Sequence, residues 1–430
     1  MDKSGFPVSA QLPHPVPTTL FVTPTVPRPD GIGVQKRAWA HLQTLCAMGD
    51  VQLLVLLTAP QCQAQGGEPA LQAARALGAS ATLAVLSPAR QQVAAGGWMQ
   101  RVRQGLAQFG LPRFRLAADN DLQRVAQQVA SGAFSLLFFF RTSTFSTMRR
   151  LLDDTRGRRP VVVDFDDVES VAQARELRHT WRMLGLEASL FKCLDILEQR
   201  QLEHLVQRSA RMVTVCSDLD ADRIRRRRGA AQVMVIPNTV PDRLPLAPAP
   251  AHPGLTLLFL GAMNYEPNED AALYFVQDIL PLLKQQLAGQ VRLMIVGRAP
   301  TPAVLALQQD GCVQVRADVP EVDSYYQQAD IVVVPIRFGG GTRIKIIEAL
   351  AMGRPVVSTT LGAEGLGLQD GHDVLIADTA AAFAQACRRL GGDAGQRAAI
   401  VAAGLGTFQH RFSDVRVRDR VAGRLQALLQ

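Results

Sequence analysis

The feature that most constrains the fold is a stretch near the C-terminus in which a buried strand, a run of glycines, a helix and another strand follow one another. Residues 331–336 form an unbroken apolar, β-branched run, which is typical of a strand covered on both faces of a parallel sheet. The glycines follow, and a helical segment then ends at Gly353 before a short apolar strand at 355–358. This order predicts an α/β fold with a parallel sheet.

The start of that helix breaks a local rule. If Thr342 caps the helix, Arg343 and Lys345 fall in its first turn, at the positive end of the helix dipole. Each cation costs about 0.3–1 kcal/mol there at an exposed site, and local conflicts of this kind are expected at functional sites. Together with free N–H groups and flexible glycines, the cations predict a site for a phosphate or diphosphate. The alternative is an ordinary helix start with two solvated basic side chains.

Composition limits the remaining possibilities. A chain of 430 residues predicts two or three domains, and its formal net charge of +8 favours anionic partners such as nucleotides, phospholipid headgroups or nucleic acid. The six cysteines are scattered without a CxxC pair, which argues against a zinc site or a disulfide framework and favours a cytoplasmic location. We find no signal peptide and no apolar run of about 18–20 residues that would span a membrane.

Strands and helices alternate in two halves, which predicts two doubly wound, Rossmann-like domains facing a central cleft. Strands are predicted at 19–23, 51–57, 81–86, 135–140, 160–164, 211–215 and 233–236, and then at 255–260, 291–296, 313–315, 331–336, 355–358 and 374–376. Helices are predicted at 187–208, 270–287 and 322–328, among others. The predicted boundaries are a loose segment 1–17, a first domain 18–238, a proline-rich linker 239–253, a second domain 254–406 and a C-terminal helix 407–430.

Two segments of the first half carry candidate chemistry. Gly31 and Gly33 follow the first strand, although a GxG without a third glycine is a weak nucleotide signal. The segment DFDDVES ends another buried strand, where open α/β sheets place their sites. We expect at least one of its carboxylates to face a substrate, and the alternative is helix capping by one of the adjacent aspartates. The carboxylates are Asp164, Asp166, Asp167 and Glu169, and their spacing matches no metal-ligand pattern.

Two basic segments could contact a membrane or a nucleic acid. The stretch 97–115 mixes arginines with Trp98 and Phe109, so it can lie on an anionic membrane surface as a peripheral contact, or it can be a partly buried helix. The run Arg225, Arg226, Arg227 and Arg228 would cover all sides of a helix and has no interleaved aromatic side chains. A nucleic-acid partner is therefore not expected.

The order of motifs resembles the retaining, metal-independent glycosyltransferases of family 4, which have the two-domain GT-B fold. The resemblance covers the chain from about residue 19 and is most specific in its last motif. It lies in DGIGVQKRAWAHLQ, DFDDVES, VCSDLDADRI, VIPNTV, FLGAMNYEPNEDAALYF, MIVG and RFGGGTRIKIIEALAMGRPVVSTTLGAEGL. A branch with GTRIKIIEALAMG is often found in exopolysaccharide and surface-glycan synthesis. The resemblance implies a UDP- or GDP-sugar donor as co-substrate, no separate cofactor or metal, and a glycan or lipid-linked saccharide as acceptor.

The resemblance also implies roles for individual residues. Glu348 matches the glutamate that accepts hydrogen bonds from the ribose hydroxyls of the donor. Arg343, Lys345 and backbone N–H groups would stabilise the leaving-group charge. In retaining members the leaving phosphate is thought to help deprotonate the acceptor, so that no protein nucleophile is needed. The other implied donor-binding positions, in the two glycine loops and the helix start, are Gly31, Gly33, Gly339, Gly340, Gly341 and Thr342.

Three departures from the family pattern matter. Many members carry a second glutamate eight residues before Glu348, where this chain has Gly340. The carboxylate that holds the donor hexose is therefore missing or supplied from elsewhere, and Glu364 is the predicted substitute, with a solvated turn residue as the alternative. Many members also have cations after the first strand of the second domain, where this chain has GAMNYEPN. We infer that Arg343 and Lys345 replace them. Family members also have a histidine in the first domain, and none is evident here, because Arg141 follows the predicted strand 135–140.

The remaining alternatives concern single contacts and the function as a whole. Glu348 could instead form an i,i+3 ion pair with Lys345. Asn264, Tyr265 and Asn268 could contact the donor or acceptor, or could simply form a turn. The predicted function is a retaining hexosyltransferase. The main alternative is a catalytically inactive nucleotide-sugar-binding or scaffold protein on the same fold, and a nucleotide-sugar epimerase would need more acid–base residues than the chain shows.

Overall fold

A computed structural model describes residues 17–87, 125, 134–152, 159–181, 184–227, 229–247, 253–288 and 290–429. The predicted membrane-contacting stretch 97–115, most of the predicted loose segment 1–17 and part of the predicted linker lie outside these residues. Within them, no helix is both long enough and apolar enough to cross a lipid bilayer.

The first domain is built on a parallel sheet of seven described strands in the order β3-β2-β1-β4-β5-β6-β7. Its strands are β1 (Thr18–Thr23), β2 (Asp50–Thr58), β3 (Ser80–Leu86), β4 (Leu136–Phe140), β5 (Val161–Asp164), β6 (Met212–Val215) and β7 (Gln232–Val235). The neighbours of β1 are β2 and β4, so the strand order reverses direction at β1. Such a switch point opens a crevice at the carboxyl ends of the strands, where ligands bind in folds of this class.

The second domain repeats this architecture with six described strands in the order β10-β9-β8-β11-β12-β13. They are β8 (Leu255–Leu260), β9 (Val291–Gly297), β10 (Val313–Ala317), β11 (Ile331–Val334), β12 (Val356–Ser358) and β13 (Leu375–Ile376). Here the switch point lies between β8 and β11, which pair in parallel. The glycine loop follows β11 directly.

Helices cover the faces of both sheets. In the first domain they are α1 (Gly33–Met48), α2 (Ala59–Ala64), a 3₁₀ turn (Glu68–Leu71), α3 (Gln72–Ala76), α4 (Thr142–Leu152), α5 (Glu169–Thr180), α6 (Leu186–Ser209) and α7 (Asp218–Arg225). In the second half of the chain they are α8 (Glu266–Tyr274), α9 (Leu280–Gln286), α10 (Pro302–Ala306), a 3₁₀ turn (Leu307–Gln309), α11 (Asp323–Gln328), α12 (Ile344–Ala351), α13 (Ala380–Gly392), α14 (Ala394–Arg411) and α15 (Asp414–Gln426).

The apolar runs explain why the strands form where they do. Central strands such as Leu136–Phe140 and Ile331–Val334 are buried at every position, as strands covered on both faces must be. The predicted fold class, two doubly wound parallel α/β domains, is confirmed. Every predicted strand is present, with ends shifted by one or two residues.

Two helix predictions were wrong in detail. The segment predicted as one helix at 270–287 begins at Glu266 and contains a π turn, Phe275–Ile279, directly before Pro281. Proline has no N–H to continue the α-helical hydrogen-bond ladder, and the wider turn accommodates its loss.

The single C-terminal helix predicted at 407–430 is also two helices, α14 and α15. The chain turns at Ser413, whose amide donates to the Phe408 carbonyl at 3.0 Å and whose hydroxyl donates to Asp242 at 2.9 Å. These bonds stop the first helix and start the second.

The last helix returns to the first domain. Val417, Val421 and Leu425 of α15 are buried in the apolar core beneath the first sheet, together with Leu42 and Leu45 of α1. The chain therefore crosses between the domains twice, once near residue 238 and once after α14. Since α15 covers α1, it helps to hold the helix that begins at the first glycine loop.

Replacing Leu425 by alanine is expected to destabilise the first domain by about 2–4 kcal/mol, because the side chain is 1% exposed and its removal leaves a cavity. Urea unfolding followed by fluorescence of Trp39, which packs against the same core, measures the effect. Val415→Ala on the same helix is the control, since Val415 is 50% exposed and should change the free energy of unfolding little. Equal losses in the two variants would contradict the packing of α15 on the first domain.

Candidate functional site

The candidate site lies where the two glycine loops meet between the domains. A Cβ atom built on Gly33, at the start of α1, would lie 3.3 Å from the Cδ1 atom of Ile344 at the start of α12. In the second loop, Gly339 and Gly341 have φ values of 100° and 72°, a left-handed conformation that other residues rarely adopt. The loop after β1 and the loop after β11 therefore face each other at the carboxyl ends of both sheets.

The first of the two predicted cations, Arg343, does not stand inside the helix. The helix begins at Ile344 with Arg343 itself as the extended N-cap residue, so the prediction that Thr342 is the cap was wrong. The guanidinium folds back over the glycine loop and donates to the Gly340 carbonyl and, at 3.5 Å, to that of Phe338. Its Nε atom is buried without a hydrogen-bond partner among the described residues. The loop is therefore lined by a cation with unused donor capacity.

The second cation, Lys345, reaches the end of β8. Its Nζ donates to Asn268 Oδ1 at 2.8 Å, and a Cβ atom built on Gly261 would lie 3.0 Å from the same nitrogen. The ammonium also lies 4.4 Å from the centre of the Phe259 ring. Lys345 thus lies at the end of the strand after which the cations of the family pattern are missing, and their replacement by Arg343 and Lys345 stays a prediction.

The surroundings of Lys345 disfavour its charge. Burial is the largest cause and the neighbouring Arg343 adds to it, while Glu348 opposes it, so that the pKa of Lys345 falls to about 7. Of the three residues Asn264, Tyr265 and Asn268 that follow β8, Asn268 is the hydrogen-bond partner of Lys345. Tyr265 lies beside the glycine loop, since a Cβ atom built on Gly339 would be 3.3 Å from its hydroxyl, and Asn264 is exposed.

Glu348 lies one turn further along α12 and links the domains. Its Oε1 atom pairs with Lys36 of α1, and its Oε2 atom accepts a hydrogen bond from Tyr326 Oη at 3.3 Å. Glu348 thus pairs with a residue of the other domain, whereas Lys345 bonds to Asn268. Sequence reasoning missed Lys36, although it stands only three residues after Gly33 in the first glycine motif.

Of the four carboxylates of DFDDVES, one is structural. Asp164 is fully buried and is bound by Arg37 through both oxygens at 2.7 and 2.8 Å, by His41 at 2.7 Å and by Thr214 at 2.8 Å. Although burial opposes ionisation, Arg37 and His41 hold the pKa of Asp164 well below its usual range. It is therefore a buried anchor rather than a ligand for substrate.

The other three carboxylates lie nearer the cleft. Asp166, in a left-handed conformation with φ of 59°, pairs with Arg141 at 2.7 Å, and Glu169 lies 3.6 Å from the same guanidinium. Asp167 packs against Gly340 instead. The prediction that Asp166 or Asp167 caps the next helix was wrong, because α5 begins after Val168 without a side-chain cap.

Glu364 is held by two arginines of the first domain. Arg175 of α5 donates to both of its oxygens, at 2.6 and 2.8 Å, and Arg223 of α7 donates at 3.1 Å. Burial opposes ionisation, but these arginines keep the pKa of Glu364 below its usual value. The structure thus makes Glu364 an ion-pair link between the domains, and its predicted role in holding the donor hexose stays a prediction.

The VIPNTV motif connects the buried anchor to the glycine loop. Asn238 accepts a hydrogen bond from Arg37 at 3.0 Å and donates to the Thr342 hydroxyl at 2.7 Å. Arg37 is in turn the partner of Asp164. The chain Asp164, Arg37, Asn238, Thr342 therefore fixes the end of the glycine loop relative to the first sheet. Sequence reasoning identified the motif but not these contacts.

The described residues contain no group of three or more His, Cys, Asp or Glu side chains that could hold a metal ion.

The predicted donor-binding residues fall into one region, since the two glycine loops, Thr342, Arg343, Lys345 and Glu348 all lie where the loops after β1 and β11 face each other.

The second domain resembles a known protein family. Residues 254–393, about a third of the chain, match the family described as glycosyl transferases group 1. No curated protein sequence matches the chain.

Solved structures share the fold over nearly the whole chain. Anabaena HepE in complex with UDP and glucose is 15% identical, with a TM-score of 0.61 over 95% of this chain and 99% of that one. Sucrose-phosphate synthase from Thermosynechococcus elongatus is 14% identical, with a TM-score of 0.65 over 96% and 99%. The pneumococcal O-GlcNAc transferase GtfA in complex with UDP and GlcNAc is 8% identical, with a TM-score of 0.62 over 97% and 100%.

Replacing Asn238 by alanine is expected to lower the free energy of unfolding by about 1–3 kcal/mol, because it leaves buried groups of Arg37 and Thr342 without a partner. Denaturant unfolding measures the change. The matched control is Thr239→Ala, which removes only the part-buried hydrogen bond to Asp414 and should cost less than about 1 kcal/mol. An Asn238 variant as stable as the wild type would show that the chain of contacts contributes nothing.

Proposed function

We propose that the protein is a retaining glycosyltransferase that moves a hexose-type sugar from a nucleoside diphosphate sugar to a hydroxyl group of a glycan or lipid-linked saccharide. One observation carries the proposal. Two partly buried cations, Arg343 and Lys345, stand at the start of α12 beside a glycine loop, and Glu348 follows one turn later at the interface with the first domain. The fold shared with proteins solved in complex with UDP supports it.

The diphosphate of the donor is assigned to the second glycine loop. The unused Nε donor of Arg343 and the ammonium of Lys345 supply positive charge, and α12 directs the positive end of its dipole at the loop. The two neighbouring cations repel each other, and Glu348 offsets this repulsion only in part. A diphosphate removes this conflict, because it is the kind of charge that the loop lacks.

Glu348 is assigned to the ribose. A carboxylate accepts hydrogen bonds well, and the two ribose hydroxyls can take the place of Lys36 as donors to it. The displaced Lys36 ammonium belongs to the helix that begins at Gly33, so it stays next to the donor. Gly31 and Gly33 allow the backbone of the first domain to approach the donor closely.

The reaction needs little from the protein beyond position and charge. The bond between the anomeric carbon and the diphosphate oxygen breaks, the acceptor oxygen bonds to that carbon on the same face, and the acceptor proton passes to the departing phosphate. Negative charge grows on the diphosphate, where Arg343 and Lys345 stabilise it. In this scheme neither a protein nucleophile nor a metal ion takes part. A lipid-linked acceptor would bring the enzyme to the cytoplasmic face of a membrane, where residues 97–115 are the proposed contact.

The Arg343→Ala and Lys345→Met variants are each expected to lower kcat/KM by about 100- to 1,000-fold, which is typical when a group that stabilises developing charge is removed. The assay screens UDP- and GDP-sugars and follows release of the nucleoside diphosphate. Arg225→Ala is the matched control, because Arg225 is 52% exposed and, within the described part of the chain, pairs only with Asp222 and a backbone carbonyl. It should keep full activity.

Three outcomes would count against the proposal. Full activity of Arg343→Ala or Lys345→Met would refute the site assignment. Loss of wild-type activity on addition of EDTA would contradict the metal-independent scheme. Nucleotide binding without any turnover across the donor panel would favour the scaffold alternative.

Binding of the nucleoside diphosphate is expected to take up a proton between about pH 7 and 9. The free protein has Lys345 with a pKa of about 7, lowered by burial and Arg343, so the amine is mostly neutral above that pH. A bound diphosphate stabilises the charged form and raises the pKa, so affinity should fall as the pH rises through this range. Calorimetry in buffers of different ionisation enthalpy measures the uptake. Lys345→Arg, which stays charged, should abolish it, and equal uptake in wild type and variant would contradict the assignment.

A further inference from the structure

The carboxylate of Asp167, from the first domain, occupies the space above Gly340 of the donor loop. A Cβ atom built on Gly340 would overlap with Asp167 Oδ2 and would lie 2.7 Å from both Asp167 Cγ and Ala172 Cβ. Gly340 is not in the left-handed region, unlike its neighbours Gly339 and Gly341, so its own backbone conformation does not demand glycine. The approach of Asp167 does. Any side chain at position 340 would push the carboxylate away.

Among the described residues, the Asp167 carboxylate is a hydrogen-bond acceptor without a donor. Its neighbours Asp164 and Asp166 each have a cation as partner, whereas no described residue donates a hydrogen bond to the carboxylate of Asp167. The charges of Arg343, Arg141 and Arg175 act on Asp167 from a distance, but the guanidinium of Arg343 is turned to the carbonyls of the glycine loop, and Arg141 and Arg175 pair with Asp166 and Glu364.

The ionised form of Asp167 is correspondingly unfavourable. Burial, then the charges of Asp220, Asp166 and Glu169, raise its pKa to about 7, and Arg343 opposes them. A partly buried carboxylate with unused lone pairs, placed against the glycine loop, is a good receptor for hydroxyl groups.

We propose that Asp167 accepts hydrogen bonds from hydroxyl groups of the donor sugar and thereby selects the sugar, an inference that rests on the proposed function. The sugar is joined to the outer phosphate, so a diphosphate on the loop of Gly339, Gly340 and Gly341 places it within a few ångströms of Gly340. A Cβ atom on Gly341 would also lie only 3.7 Å from Asp167 Oδ2. The nucleotide is then held by the second domain and the sugar is read by the first.

This arrangement explains why position 340 lacks a side chain. A carboxylate at residue 340 itself would accept hydrogen bonds from the sugar hydroxyls from within the second domain. Here glycine at 340 makes room for a carboxylate delivered from across the cleft. Recognition of the sugar therefore depends on the contact between the domains, whereas the nucleoside diphosphate is held mainly by the second domain.

The competing explanation is structural. Asp167 stands two residues before α5, where an acidic side chain can interact with the helix dipole. Asp218 provides the matched control, because it is an exposed acidic residue in the first turn of α7 in the same domain. A dipole role predicts similar behaviour for Asp167→Asn and Asp218→Asn, and only a sugar-reading role separates them.

The experiment measures calorimetric affinity of the wild type and variants for UDP, GDP and a panel of UDP- and GDP-hexoses. For the donor that the wild type binds, Asp167→Asn should weaken the nucleotide sugar about 10- to 100-fold and change the free nucleoside diphosphate less than about threefold, because a lost acceptor to hydroxyls acts on the sugar alone. Gly340→Ala should do the same by displacing Asp167. Asp218→Asn should bind both like the wild type.

Deoxy analogues of that donor complete the test. Removing the hydroxyl that Asp167 contacts should weaken binding to the wild type and leave binding to Asp167→Asn unchanged, which a purely structural role would not produce. The inference is overturned if Asp167→Asn binds the nucleotide sugar like the wild type. It is also overturned if the variant loses affinity for the free nucleoside diphosphate and for the nucleotide sugar by the same factor. A wild type that binds none of the ligands overturns the proposed function itself, and that result is read without any variant.

Discussion

The placement of two neighbouring, partly buried cations beside a glycine loop, with Glu348 offsetting their repulsion only in part, is the constraint on which the site depends. Arg343 and Lys345 are two residues apart, and the position of Arg343 helps to lower the pKa of Lys345 to about 7. A fold selected only for stability would place carboxylates at this helix start. The protein instead keeps the positive charge and satisfies it in part with loop carbonyls, Asn268 and an aromatic ring. Such an unfavourable arrangement persists when a ligand relieves it.

Among the described residues, groups without a hydrogen-bond partner face the glycine loop from both domains. The first domain contributes Asp167, an acidic group without a donor, and the second contributes the Nε atom of Arg343, a donor without an acceptor among the described residues. Elsewhere the domains are joined by satisfied pairs, such as Glu364 with Arg175 and Glu348 with Lys36. Asp167 and the Nε atom of Arg343 thus both lie at the glycine loop, and the satisfied pairs lie around it. A sugar diphosphate carries anionic oxygens for one set and hydroxyls for the other.

The sequence predicted the architecture well because both sheets are buried on both faces. A strand such as Leu136–Phe140 has no polar position at all, so it can be recognised as a buried strand from its own residues. The break at Ser413 was not predictable in the same way, because it depends on a hydrogen bond to Asp242, far away in sequence. Local periodicity predicts that a helix exists, whereas tertiary contacts decide where it ends.

The site shows the same division. Arg343, Lys345 and Glu348 stand within six residues of one another, so a motif could reveal them. The partners Lys36 and Asp167 come from a different domain, and nothing in their own segments shows that they meet Glu348 and Gly340. The surroundings of Glu364 were not predictable from its own segment, because both arginines that bind it belong to the other domain.

The central claim is that the loop of Gly339, Gly340 and Gly341 holds a diphosphate through Arg343 and Lys345. A crystal structure with a bound nucleoside diphosphate tests it most directly. The account predicts phosphate oxygens within hydrogen-bonding distance of both cations and of the first turn of α12, with the ribose at Glu348 and Lys36 displaced from that carboxylate. A nucleotide bound elsewhere in the cleft, with Arg343 still turned to the loop carbonyls and Lys36 still paired with Glu348, would contradict it.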